Sequence, residues 1–375
     1  MYRRLREESP VLWDDALSSW LLFRYEDVKR ALRDAETFSS ADPMDMASEA
    51  PQAARNMAAV DEPDHSRLRA LAQPAFTPRR VAKLRQSIEQ LCDELLDRIE
   101  DQAEDQGDAF DLVREFTVPL PAIVIAVLLG VPSADYGLFQ RMANDALFVT
   151  VKQQRERGIR AMNELSAYYA ELLADRRRSG TLGDDITSDL IRAQASGADV
   201  SEDELVAMGN VMLIAGHETT TNLISNTVRC LSENPDARAY LLEDLDRSSI
   251  VLEEVLRCRG PAAGTMRIAL RDVEMQGVTI PANSSVVPLI LSANRDPRVF
   301  DEPERFIPDR KPKKTLSFGS GIHRCLGEPL ARLEAKVAIP ALYRRFPSLR
   351  VDPERPTIPI PIPMLHGCRE LPVRV

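Results

Sequence analysis

The chain has 375 residues, 44% hydrophobic and 28% charged, a globular composition that excludes a disordered tail, a collagen-like fibre or a mucin-like stalk. Lys plus Arg number 48 against 58 Asp plus Glu, a balance of -10, which argues against a grip on phosphate backbones, so no nucleic-acid partner is expected. Five widely spaced cysteines without a CxxC pair suit a reducing cytoplasm, and the MYRRLREESP start and the absence of a long uncharged run predict neither export nor a membrane anchor.

Between Thr77 and Glu100 the apolar residues Val81, Leu84, Ile88, Leu91, Leu95 and Ile99 recur at three- and four-residue steps. With Thr77 as N-cap and Pro78 in the first turn, this predicts one amphipathic helix. Ser201 and Glu204 form the S-x-x-E capping box of a second helix that runs without a breaker to Asn234-Pro235. At ~1.5 Å per residue it is roughly 50 Å long. Strand signals are few and late: Val273, Met275, Val278 and Ile280 around Gly277, then Val286-Val287, and a short piece near the C-terminus. The predicted class is mainly α with small β-sheets. Length alone suggests two or three units at roughly 100–200 residues per domain. The stretches 41–60, 178–185 and 353–363 lack linker character, however, and no repeat is visible, so a single large domain over residues 1–375 is expected.

The sharpest motif is FGSGIHRCLGEPLAR, Phe318 to Arg332. Gly319, Gly321 and Gly327 let backbone pass close to something bulky, and Cys325 stands alone before a helix-forming run. N–H groups and the positive end of the helix dipole would hold a thiolate there, with an iron ion as its favoured partner. A dinucleotide loop is excluded, because the residue three after Gly321 is Arg324. Cys92, Cys230 and Cys258, on helical patterns, read as buried structural thiols.

AGHETT, Ala215 to Thr220, follows the apolar run Val211-Met212-Leu213-Ile214 inside the long helix. It places an acid and two hydroxyls where burial is expected, at a cost unless they are paired. Gly216 weakens that helix by ~1 kcal/mol relative to alanine. An H-E-x-x-H metal site is excluded, since Thr221 stands four after His217. Glu254 and Arg257, three apart, share one helix face, and His65 and Arg69, four apart in DEPDHSRLR, share another.

The Phe-Gly-x-Gly-x-His-x-Cys-x-Gly pattern, matched by Phe318, Gly319, Gly321, His323, Cys325 and Gly327, resembles the signature of the cytochrome P450 family of haem-thiolate monooxygenases. The likeness extends to LREESPV, to Tyr25 through Phe38, to PLPAIVIAVLLGVP from Pro119, to ANRDP from Ala293 and to the closing LPVRV. It implies the cytochrome P450 fold and haem b, iron protoporphyrin IX, with Cys325 as axial metal ligand and Phe318 shielding the sulfur. It also implies that Ala215 and Gly216 flank dioxygen and that Glu218 and Thr219 relay protons to it as an acid and alcohol pair. His65, Arg69, Arg267 and His323 match propionate-binding positions. Glu254, Arg257 and Arg305 match a structural trio on the haem side, and His366 matches nothing and reads as structural.

The implied activity uses O2 to hydroxylate or epoxidise a lipophilic small molecule. The alternatives are oxidation without oxygen insertion, such as aryl coupling, isomerisation or a peroxide-driven reaction, and a catalytically silent binding module. No flavin or nicotinamide domain is visible, so electrons are expected from a ferredoxin or flavodoxin with its reductase. Arg310, Lys311, Lys313, Lys314 and Arg324 are the docking candidates. The family's pocket-lining segments correspond to 41–60, to Met212, Ala215 and Gly216, to Ala262 through Met266, including Ala263, and to Met364 and Leu365. Their small residues and methionines imply a roomy apolar pocket for a bulky product of secondary metabolism, such as a macrolide, terpenoid or steroid-like skeleton. In RCRGPAAGTM, Arg257 to Met266, this chain departs from the family's usual aromatic and prolines, on the substrate side.

Overall fold

The computed structural model describes residues 1–41, 56–106 and 109–375. It opens with a short helix, α1 (Tyr2–Glu8), and a hairpin of β1 (Val11–Asp14) and β2 (Ser19–Leu22). This hairpin lies outside the expectation that strands come late. Four residues per strand are too few for a period-two pattern, and β2 is completed only by parallel pairing of Trp20 with Val286, far along the chain. After α2 (Tyr25–Arg33) comes β3 (Phe38–Ser39). A five-stranded sheet then forms in the order β1-β2-β8-β5-β3, with β5 (Arg267–Ala269) and β8 (Ser285–Pro288). The expected hairpin around Gly277 is present as β6 (Val273–Met275) and β7 (Val278–Ile280), with Gly277 at φ 77°.

The helix expected from Thr77 to Glu100 is two helices. After α3 (Asp64–Ala72), α4 (Pro78–Ala82) stops and α5 (Arg85–Gln106) begins. Between them the Lys83 and Leu84 amides bond three residues back, to Arg80 O and Val81 O, which tightens the turn. The apolar stripe survives the break, since Val81, Ile88, Leu95 and Ile99 are all buried.

Five helices follow β4 (Ala109–Asp111): α6 (Pro119–Leu129), α7 (Tyr136–Ala146), α8 (Arg155–Ser179), α9 (Ile186–Ala195) and α10 (Glu202–Glu233). The capping box of α10 is formed, with Glu204 N donating to Ser201 Oγ (3.2 Å) and Ser201 N to Glu204 Oε2 (2.8 Å). Buried residues stand on every side of α10, as expected of a helix through the middle of a domain. Several of its hydroxyls are satisfied within the helix: Ser225 Oγ donates to Thr221 O (2.9 Å) and Thr227 Oγ1 to Leu223 O (2.7 Å). The chain continues through α11 (Pro235–Glu243), α12 (Ser248–Arg259), α13 (Ile290–Ala293) and α14 (Glu328–Arg345). It ends in β9 (Arg350–Val351), β10 (Ile358–Pro359), β11 (Cys368–Glu370) and β12 (Pro372–Arg374), the last lying between β4 and β9. One apolar core runs from Leu68 to Val373, and a second lies under the five-stranded sheet. No helix among the described residues is long and apolar enough to cross a membrane.

Glu254 and Arg257 of α12 form a fully buried ion pair with two parallel bonds of 2.7 and 2.8 Å. Arg257 also donates to the carbonyls of Asn294 (3.1 Å), Pro303 (2.8 Å) and Arg305 (3.0 Å). The sequence reading paired this couple with the Arg305 side chain, and the structure corrects it. Arg305 contributes only its backbone carbonyl, while its guanidinium is exposed and paired with Glu302. Arg310 takes the expected place, its Nε 3.0 Å from Glu254 Oε1. An extended segment cannot be assigned a register from sequence, and the tie of Ile307 N to the same oxygen (3.0 Å) sets it here. Arg310→Ala is expected to destabilise the protein by about 1.5–3 kcal/mol, the scale of a hydrogen bond to a buried charge. Arg305→Ala should stay within about 0.5 kcal/mol; urea denaturation of the two variants checks the contrast.

Candidate functional site

The cysteine loop is anchored before it begins. Leu316 N donates to Asn294 Oδ1 (2.8 Å), Asn294 Nδ2 to Ser317 Oγ (2.9 Å), and Ser317 Oγ to Leu256 O of α12 (2.7 Å). Gly319 and Gly321 then take φ of 73° and 80°, and a Cβ on Gly321 would lie 2.8 Å from Leu32 O. The bulky neighbour of that glycine is therefore the backbone of α2. The loop closes with Cys325 N donating to Phe318 O (2.9 Å). The Gly327 and Glu328 amides, at the start of α14, point at the Cys325 sulfur. Burial pushes this thiol up, and those amides and Arg69 oppose the shift. Protein surrounds Cys325, yet its side chain is accessible from a cavity of about 370 Å³ that it lines. Phe318 lines the same cavity, its ring covered by the Arg332 guanidinium at 4.4 Å.

Four protonatable groups gather on one side of this cavity. Arg69, Arg267 and His323 line it, and His65 stacks on His323 with ring centroids 4.2 Å apart. Arg267 Nη1 reaches only Met266 O (2.7 Å) and Thr265 Oγ1 (3.5 Å), and burial lowers its pKa to about 10. Burial and the neighbouring cations lower His323 to about 4. Nε2 of His65 and Nε2 of His323 are buried without a partner, a costly condition unless an anion meets them. A Cβ on Gly327, which also lines the cavity, would meet no protein atom. Two orphaned imidazole nitrogens, two arginines that no carboxylate among the described residues bonds and an open floor beside a thiol fit the two carboxylates and flat ring of a haem.

The opposite wall belongs to α10, which is unbroken through AGHETT. Ala215, Gly216 and Thr219 line the cavity, and Thr219 Oγ1 donates to Ala215 O (2.9 Å). A Cβ on Gly216 would sit 3.1 Å from Ile125 of α6, so the close approach of α6 accounts for a glycine that weakens the helix. Glu218 is 7% exposed, and its Oε1 accepts from Asn222 Nδ2 (2.9 Å). Sequence reasoning missed Asn222, one turn beyond the motif, and used His217 only to exclude a metal site. His217 has no exposed surface, and its Nε2 lies 2.8 Å from Asn144 Oδ1 of α7. A histidine inside a motif on an all-buried helix was the available signal.

A second compartment of about 310 Å³ shares Val211, Ala215 and Thr219 with the first. Of the expected substrate contacts, Met212 and Ala262 line the first and Leu365 the second. Ala263, Met266 and Met364 are on neither wall. Met266 is 45% exposed and Met364 packs against the small core of Leu21 and Phe23, while Pro261, Ala262, Gly264, Thr265 and Arg267 line the cavity from this stretch. Residues 42–55 of the expected 41–60 segment lie outside the described residues, while Met57 and Ala58 line the cavity. Of the docking candidates, Arg310 is tied to Glu254 and Arg324 to Glu328 (2.7 Å), which leaves Lys311, Lys313 and Lys314 exposed. His366 accepts Asn226 Nδ2 at its carbonyl (2.8 Å) and is structural. Cys92, Cys230, Cys258 and Cys368 are buried free thiols.

The family model described as Cytochrome P450 matches residues 11–374. Erythromycin C-12 hydroxylase of Saccharopolyspora erythraea is 37% identical over 376 residues, covering 98% of this chain and 92% of that protein. Cytochrome P450 monooxygenase PikC of Streptomyces venezuelae is 36% identical over 383 residues, covering 100% and 90%. The crystal structure of CYP109E1 from Bacillus megaterium in complex with testosterone matches at a TM-score of 0.91 and 35% identity, covering 100% of this chain and 96% of that one. Agreement that runs the length of both sequence and backbone, around a cavity fitted to haem, makes this chain a member of the cytochrome P450 family of haem-dependent monooxygenases.

Proposed function

We propose that the protein hydroxylates or epoxidises a bulky lipophilic natural product, with Cys325 as the thiolate ligand of the haem iron. The observation that carries this reading is the cavity itself: the Cys325 thiol under two backbone amides on one side, and Ala215 and Thr219 on the other. Arg69, Arg267, His65 and His323 would hold the two propionates, which supply the anions that the orphaned donors lack. When bound, the haem supplies the activation of O2 with two electrons.

The chain's own residues do the rest. The amides of Gly327 and Glu328 favour the ionised sulfur. Ala215 and Gly216 leave room beside Thr219, whose hydroxyl now donates to Ala215 O and can turn into the cavity to donate there. Glu218, with one oxygen held by Asn222, stands next to Thr219 to pass a proton to it. This intact acid and alcohol pair favours oxygen insertion over the peroxide-driven or isomerising alternatives, which need no relay. Val211, Met212, Phe76 and Ile125 make the walls apolar, which excludes water and suits a lipophilic skeleton. The relatives' names point the same way: one is an erythromycin hydroxylase and another was crystallised with testosterone. Electrons would come from an acidic ferredoxin or flavodoxin docked on Lys311, Lys313 and Lys314.

Reduced with dithionite and exposed to carbon monoxide, the protein should give a strongly red-shifted Soret band, and Cys325→Ser should lose it. In optical titrations, testosterone or erythromycin B should shift the spin state of the haem, while short-chain fatty acids should not; the reverse order overturns the proposed substrate class. Charge reversal by Lys313→Glu with Lys314→Glu should slow reduction by an acidic ferredoxin about tenfold at low salt, with the difference shrinking as salt is raised. Unchanged stopped-flow kinetics would remove this surface from the docking site.

A further inference from the structure

Behind α10 lies a larger cavity of about 830 Å³, whose lining mixes Arg114, Arg141 and Arg369 with Asp111, Asp145 and Glu370. Glu218 and Leu147 line both this cavity and the compartment beside Thr219. A carboxyl thus forms the polar part of the wall between the two spaces. Its oxygens are held unequally. Oε1 accepts from Asn222 (2.9 Å), whereas Oε2 faces His217 Nε2 at 3.8 Å, beyond hydrogen-bond length.

The imidazole behind Oε2 is fixed from two helices. Nδ1 lies 3.2 Å from Leu213 O, one turn back on α10, and Nε2 lies 2.8 Å from the Asn144 amide of α7. A carbonyl only accepts, so Nδ1 carries the proton of a neutral ring and Nε2 takes its bond from an Asn144 amide turned to donate. Burial favours that neutral ring, and Glu218 opposes it. With no exposed surface and both nitrogens engaged, the ring cannot turn aside.

We propose that His217, pinned by Asn144, is a positioning residue that keeps the Glu218 carboxyl on the wall beside Thr219. This rests on the monooxygenase reading above. Without the ring, the carboxylate can swing into the larger cavity, toward the arginines that line it, and away from Thr219. Asn144 acts from outside the AGHETT motif, so the orientation of the relay depends on α7 as well as on α10.

The test uses haem-loaded protein with its reductase system and whichever of testosterone or erythromycin B the wild type oxidises, or no ligand if it oxidises neither. His217→Phe and Asn144→Leu should each raise the share of consumed O2 that leaves as hydrogen peroxide about fivefold, a fraction of the roughly 10²–10⁴ that a positioned acid or base contributes. The solvent isotope effect on kcat should rise with it. The carbon monoxide spectrum, and the spin-shift Kd where a ligand binds, should not change. Asn144→Asp, whose carboxylate has no proton to give Nε2 of the neutral ring, should raise the peroxide share as Asn144→Leu does. Wild-type partitioning in Asn144→Leu overturns the proposal, and this variant decides should His217→Phe fail to fold. Wild-type protein that consumes no O2 at all overturns the monooxygenase reading itself, and the positioning role with it.

Discussion

The fully buried pair of Glu254 and Arg257 is the interaction on which the site depends. Two charges without solvent are tolerable only when every remaining donor and acceptor is met, and here the partners are loop backbone. Arg257 gathers the carbonyls of Asn294, Pro303 and Arg305, and Glu254 takes Ile307 N and Arg310. Asn294 then fixes Leu316 and Ser317, immediately before the cysteine loop. The sulfur is therefore placed by a chain of hydrogen bonds that starts on α12, not by the loop's own sequence. An irregular stretch of this length, without helix or strand to hold it, needs such an anchor to present one atom reproducibly.

The second organising element is α10. A helix buried on all sides has no solvent face on which to put polar residues, so each hydroxyl and amide it carries must be satisfied inside. Most of them are satisfied by carbonyls one turn back, which leaves few side chains free for chemistry. Glu218 and His217, like Asn210, Thr221 and Asn226, have other partners, among them the Asn222 and Asn144 side chains. The wall of the cysteine cavity and the middle of the core are thus the same helix, distinguished by which polar atoms look outward from it. Opposite this wall, the group of Arg69, Arg267, His65 and His323 shows the complementary case: the Nε2 atoms of His65 and His323 are buried with no protein partner among the described residues, a condition that an anionic guest would relieve.

The cysteine loop, the capping box and the acid and alcohol pair were legible because each is a run of adjacent residues whose chemistry is stated by type and spacing. The late hairpin around Gly277 was legible for the same reason. Apart from the local turn at Lys83 and Leu84 that divides the helix expected from Thr77 to Glu100, the errors were of register or of long-range pairing. Arg305 and Arg310 are five apart in one extended segment, and nothing local says which of them meets α12. Ala263, Met266 and Met364 point away from the cavity, and the direction of each is set by the path of irregular chain that no local pattern states. The early hairpin is held by β8, more than two hundred and fifty residues away, and its own strands are too short to announce themselves.

Sequence by itself determined the class of fold, the family and the need for haem, because the cysteine-loop signature is residue type at fixed local spacing, and its resemblance to the family named Cys325, Glu218, Thr219 and four propionate candidates as the residues to look for. Tertiary structure decided which arginine completes the buried trio, which residues wall the cavity, and that Asn222 and the pair of His217 and Asn144 surround the Glu218 carboxyl. Those facts depend on which distant segments meet, and the meeting is set by packing of whole helices and by shared hydrogen-bond acceptors that no local pattern encodes.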